Sequence, residues 1–168
     1  MEHDPPVVMI SFVDHGPMDF DELRPGQVFE AGPRVIDRSD IDAFTRLSGD
    51  RTALHSDDDY ARTTPFGAVV AHGVLVLAVG TGLAYDTGIF LGTVLAVRSM
   101  ELNFERPVFP GDSLTLRLEV TSKDSQPRID RGRVSFGVRL TNQHGKAAAL
   151  GTWTLIMRRS GEATLPPV

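Results

Sequence analysis

From about residue 94 onward, apolar and polar positions alternate. Leu114, Leu116, Leu118 and Val120 interleave with Thr115, Arg117, Glu119 and Thr121. Val134, Phe136, Val138 and Leu140 interleave with Ser135, Gly137, Arg139 and Thr141. A period of two sends one set to a core and the other to water, which predicts half-buried antiparallel strands. Residues 94–104 and 147–158 predict two more. Turn signals separate them: Pro110-Gly111-Asp112, the polar stretch 122–130, and 142–146 around Gly145.

The first half follows a different rule. Ile41, Phe44 and Leu47 recur every three residues and predict a helix over 39–48 with one apolar face. Ser39 is placed to cap it, with Asp42 reciprocating from the third helical position. Gly49 suits a left-handed stop, and Asp50 falls just beyond it. Asp57 to Arg62 predict one or two further helical turns, their acids at the positive end.

Residues 72–85 differ again. Val74 to Val79 leave no polar face for nearly two turns, which predicts a helix buried all round. A buried strand over 74–79 competes with that reading, and the small residues through Ala84 favour the helix. Gly80 and Gly82 are poor helix formers and suggest close approach by another backbone. One buried helix and four or more one-faced strands are satisfied together if the sheet curls around the helix. The open sheet edges then favour self-association.

Composition narrows the function. The chain has 168 residues, enough for one domain with a full core. It has no cysteine, which excludes disulfides, thiolate metal sites and a thiol nucleophile. Net charge is -5 and the cations are scattered, so no groove for nucleic acid is expected. No apolar run approaches the roughly 20 residues of a membrane span, and the acidic N-terminus lacks the basic start of a secretory signal. The expected location is cytoplasmic.

The chemistry concentrates in "SGDRTALHSDDDY", residues 48–60, followed by "PFGAVVAHGVL". Taken singly, Asp50 is a turn former, His55 a solvated histidine and His72 a packed or capping one. Gly73 is a helix-start glycine. Asp57, Asp58 and Asp59 lack the glycine and distal glutamate of a calcium loop, and nothing fixes a third or fourth metal ligand beside His55, so no metal is expected.

Together the residues resemble the signature of the MaoC-like, R-specific enoyl-CoA hydratases of the hotdog fold. The matching positions are Ser48, Gly49, Asp50, Leu54, His55, Asp57, Tyr60, Ala61, Phe66, Gly67, His72 and Gly73. Downstream, "LNFERPVFPGDSL" resembles the family's strand-turn-strand signature through Val108, Gly111 and Asp112. The resemblance spans about residues 20–158. One departure stands out: the family's Asn-Pro before Leu-His is Thr52-Ala53 here.

The resemblance implies an α+β hotdog fold. An antiparallel sheet wraps a central buried helix, and an overhanging helical and loop segment bears the site. It implies an N-terminal arm over 1–20, the domain over 21–158 and a tail over 159–168. Asp50 and His55 would be the catalytic pair that handles one water, and Gly73 the oxyanion donor. Thr81 would help orient the aspartate, and Thr52 would replace some of the missing asparagine's hydrogen bonding. The implied reaction interconverts a 2-enoyl thioester and an (R)-3-hydroxyacyl thioester of coenzyme A, with no further cofactor, in a homodimer or higher homo-oligomer. Three alternatives stay open: a dehydratase working on acyl carrier protein, a hotdog acyl-CoA thioesterase, and a non-catalytic partner subunit of an active homologue.

Overall fold

The computed structural model describes residues 15–125 and 130–160. The expected arm over 1–20 and tail over 159–168 lie outside them, apart from residues 15–20 and 159–160. The element order is β1 (Val28–Val35), α1 (Arg38–Ser48), α2 (Ala53–Ser56), α3 (Asp58–Thr63), α4 (Gly73–Asp86), β2 (Val94–Phe104), β3 (Ser113–Ser125), β4 (Arg131–Asn142) and β5 (Ala147–Arg158). The five strands form one antiparallel sheet in the order β1-β3-β4-β5-β2. No helix among the described residues is long and apolar enough to cross a membrane.

The alternating positions do what their period predicts. Leu114, Leu116, Leu118, Val134, Phe136 and Leu140 are completely buried, and the polar residues between them are not. Register pairs Leu116 with Leu140 and Phe136 with Trp153, so neighbouring strands add their inward side chains to one core. Each large side chain fully buried this way contributes about 1.5–3 kcal/mol. Helix α4 lies on that core. A Cβ at Gly80 would sit 3.1 Å from Leu140 Cδ1 and 3.5 Å from Trp153 Cη2. Gly80 thus admits core side chains rather than another backbone, and a Cβ at Gly82 would meet nothing within 4 Å.

Several expectations are corrected. Helix α4 is not buried all round: Leu75, Val76, Leu83 and Ala84 are covered, but Val74 and Tyr85 are each 61% exposed. Five strands curl over only one side of the helix. Leu47 is 84% exposed. A three-residue spacing drifts by about 60° per step on a helix of 3.6 residues per turn, so Leu47 has rotated away from Ile41. Helix α1 is capped at Asp37, not Ser39, and Asp40 rather than Asp42 reciprocates, its Oδ2 accepting the Asp37 N–H at 2.9 Å. Strands β3 and β4 consume much of the expected turn, running to Ser125 and from Arg131.

Strand β1 escaped the sequence reading. Its "AGPR" core looks like a strand breaker. It is tolerated because β1 is an edge strand, bulged between Ala31 and Arg34 around Gly32-Pro33.

Candidate active site

Helix α1 ends at Gly49, whose φ of 76° is the left-handed stop expected of it; its N–H reaches Thr45 O at 3.1 Å. Ser48 Oγ donates to Phe44 O at 2.7 Å and accepts the Asp50 N–H at 3.2 Å. The chain is thereby turned so that Asp50 stands exposed beyond the helix end.

Thr52 then grips Asp50 twice. Its N–H (3.1 Å) and its hydroxyl (2.6 Å) both donate to Asp50 Oδ1. These two bonds, the hydroxyl's first, hold the Asp50 carboxyl below its usual value. The hydroxyl is spent on Asp50, so it does not cap α2. Ala53 opens that single turn at the position where proline is also favoured, and alanine is itself the best helix former. Ser56 Oγ adds a bond to Thr52 O at 3.2 Å. The Thr52-Ala53 replacement therefore still yields a tied loop.

The turn of α2 brings His55 back towards the segment before α4. His55 Nδ1 lies 2.7 Å from Val70 O, and the Val70 N–H reaches Leu54 O at 3.4 Å. A carbonyl only accepts, so Nδ1 carries a proton and Nε2 is the ring nitrogen left open. Two residues after Val70, His72 is buried at 2% exposure. Its Nε2 lies 3.2 Å from Asp50 O, and its ring stacks on His55 with centroids 3.9 Å apart at 29°. Burial, above all, lowers the His72 pKa.

Gly73 follows as the first residue of α4, where N–H groups have no carbonyl behind them in the helix. A Cβ there would fall 2.9–3.2 Å from the Phe104 ring, so only glycine leaves this corner open. A cleft of about 350 Å³ adjoins it, lined among others by Val70, Gly73, Val76, Phe104, Arg106 and Val108.

Asp50, His55 and His72 place a ligand atom each within 4.8 Å of one another. Of the residues singled out from sequence, Asp50, His55 and Thr52 meet here, and Gly73 follows directly on His72. Thr81 stands apart within the chain: its hydroxyl donates to Ala78 O at 2.7 Å, and it lines a second cleft with Tyr85 and Val97. Three groups could suggest a metal. One nitrogen of each stacked ring is already engaged, however: His55 Nδ1 with Val70 O and His72 Nε2 with Asp50 O. The three acids serve the scaffold. Asp57 Oδ1 accepts the Asp59 and Tyr60 N–H groups at 2.9 and 3.0 Å, and Asp58 pairs with Arg38 at 2.9 Å. Sequence reasoning missed Phe104 and the stacking of His72 on His55. The adjacency of His72 to Gly73 was the one available hint of the second.

Comparisons with known proteins bear on the family and the fold. The chain is 31% identical over 134 residues to the (R)-specific enoyl-CoA hydratase of Aeromonas caviae, covering 80% of this chain and 95% of that protein. The R-hydratase PhaJ1 from Pseudomonas aeruginosa superposes with a TM-score of 0.70 at 34% identity, over 90% of this chain and 95% of that one. A Mycobacterium tuberculosis protein with a double hotdog fold matches with a TM-score of 0.76 at 23% identity, over 91% of this chain and 47% of that one. That likeness bears on the fold, which is the hotdog. With the MaoC like domain model matching residues 20–141, the chain belongs to the MaoC-like domain family.

Proposed function

We propose that the protein is a hydratase or dehydratase interconverting 2-enoyl and (R)-3-hydroxyacyl thioesters, with coenzyme A as the carrier. The observation that carries this is the grouping of an ionised carboxylate, an imidazole and a glycine N–H at a helix start. Asp50 keeps Oδ2 for a ligand because Thr52 occupies Oδ1. His55 keeps Nε2 because Val70 occupies Nδ1. A water held between Oδ2 and Nε2 is aimed and made basic by the same two groups.

In hydration the water oxygen bonds to the β carbon as one of its protons passes to the pair. The double-bond electrons move towards the thioester oxygen, which takes the charge against the Gly73 N–H and the positive end of α4. The α carbon then receives a proton from the pair, and one water has been added in all. Dehydration is the reverse. Both groups hold the same water, so the steps belong to the dyad rather than to one member.

A homodimer accompanies this reading. Strand β2 is a sheet edge, paired among the described residues only with β5, and Val97 and Phe104 on it are 57% and 53% exposed. The uncovered side of α4, with Val74 and Tyr85, adds apolar surface, and a second copy would cover both.

The test is purified protein with crotonyl-CoA and longer enoyl-CoAs, following loss of the conjugated absorbance, with acyl-carrier-protein thioesters in parallel. No turnover on any chain length or carrier sinks the reading, and release of free thiol moves it to a thioesterase. Asp50→Asn and His55→Gln should stay folded and each lose about 10²–10⁴-fold.

A further inference from the structure

His72 has no part in the steps above, yet it touches both reacting side chains' supports. Asp50's other hydrogen bonds are local: Ser48 and Thr52 each lie two residues away. They shape the turn but do not say where it sits relative to α4. The bond from His72 to Asp50 O spans 22 residues and joins that turn to the cap of the helix that presents Gly73. On its face, the His72 ring is a floor for His55 at 3.9 Å, with Phe44 5.0 Å away.

We propose that His72 is a positioning residue, a neutral imidazole whose Nε2–H fixes the Asp50 main chain and whose face fixes the plane of His55. The proposal rests on the hydratase reading for its kinetic consequence only. The protonation state follows from the partners. The Asp50 carbonyl requires a proton on Nε2, and Nδ1 is buried with no partner among the described residues. A second proton there would be a buried, unpaired charge, which is costly. Asp50 and His55 are the titratable groups beside it. An error of about 1 Å in such an arrangement costs about 10²-fold. A residue that registers two reacting groups against a third thus acts on kcat without touching substrate.

Two variants separate its functions. His72→Phe keeps a ring against His55 and removes the donor; His72→Gln keeps an amide donor and removes the ring. Both are expected to lose about tenfold or more in kcat with KM within about twofold, because what fails is alignment rather than binding. Values of kcat within about twofold of wild type in both folded variants overturn the proposal, as does a KM rise that matches the kcat loss. Should the variants not fold, ¹⁵N NMR of the wild-type imidazoles decides: a neutral Nε2–H tautomer for His72 at neutral pH supports the proposal, and a cationic or Nδ1–H form overturns it. Wild-type protein inactive on every thioester removes the hydratase reading alone. The His55 Nδ1–H, bonded to Val70 O, then serves as readout. Slow exchange in wild type and fast exchange in His72→Gln support the positioning role, and equal exchange rates overturn it.

Discussion

Thr52 directs both of its donors at one oxygen of Asp50, the N–H from 3.1 Å and the hydroxyl from 2.6 Å. The carboxylate is thereby oriented, held below its ordinary pKa and left with a single open oxygen. Thr52→Val keeps the shape and the N–H but removes the stronger contributor to the lowered Asp50 pKa. That pKa should rise towards 3.8, so the acid limb of the kcat/KM profile moves to higher pH. The rate at neutral pH should fall about 2- to 10-fold. Thr52→Ser, which keeps both donors, should show the wild-type profile. An unmoved acid limb in Thr52→Val would separate Asp50 from the ionisation that limits the rate.

Gly73 and Phe104 make a second pair. Alanine at 73 would push its methyl against the Phe104 ring. That ring is the far end of a side chain and 53% exposed in the single chain, so Gly73→Ala should leave the single chain's fold within about 1 kcal/mol. The same methyl would stand where a thioester oxygen must approach the N–H, and activity should drop about 10²-fold. The double variant Gly73→Ala with Phe104→Leu discriminates. If the displaced ring were the cause, the smaller side chain would restore the rate. We expect no restoration in steady-state kinetics.

How much of this was legible in sequence follows from the range of the forces involved. The inward sets of β3 and β4 were readable because burial alone dictates a period of two. Gly49 was readable because a left-handed stop leaves few residues to choose from. Asp50, His55 and Gly73 were readable only jointly, through the spacing of a family motif. Strand β1 was not, because its Gly-Pro core is acceptable only at a sheet edge, and edge position is a property of the finished sheet. The stacking of His72 on His55 was hidden for the same reason. It depends on α2 folding back onto residues 70–72, and no local pattern encodes that. The uncovered side of α4 looked buried because composition records apolarity and not what stands opposite.

That uncovered side yields the next expectation. Val97 and Tyr85 line an apolar cleft of about 230 Å³ between α4 and β2, with Val94, Met100 and Leu155. If a second copy covers it, a lysine there would bury an unpaired charge. Val97→Lys should weaken self-association by about 100-fold or more, read by sedimentation velocity across a dilution series. Val97 is 57% exposed in the single chain, so the fold itself should be unaffected. Wild-type protein sedimenting as a monomer at all concentrations would remove the dimer from the account.

The buried imidazole should also be visible in stability. His72 has its pKa lowered from 6.5, burial being the main cause. In the unfolded chain the ring takes up a proton near 6.5, whereas in the fold it resists until the pH is lower. The unfolded state therefore binds more protons across that window, and stability rises with pH through it. His72's contribution is present in full above the unfolded value and is lost as the pH falls through the folded one. Urea melts stepped downward from about pH 7.5 should show unfolding free energy beginning to decline near the unfolded value, before the carboxylates titrate. In His72→Phe the decline over that window should flatten. The lost bond to Asp50 O costs the same at every pH and so shifts the curve without changing its slope. An identical slope in the two proteins would mean that His72 takes up its proton at the same pH in the folded and unfolded chain, which its burial and the orphaned Nδ1 argue against.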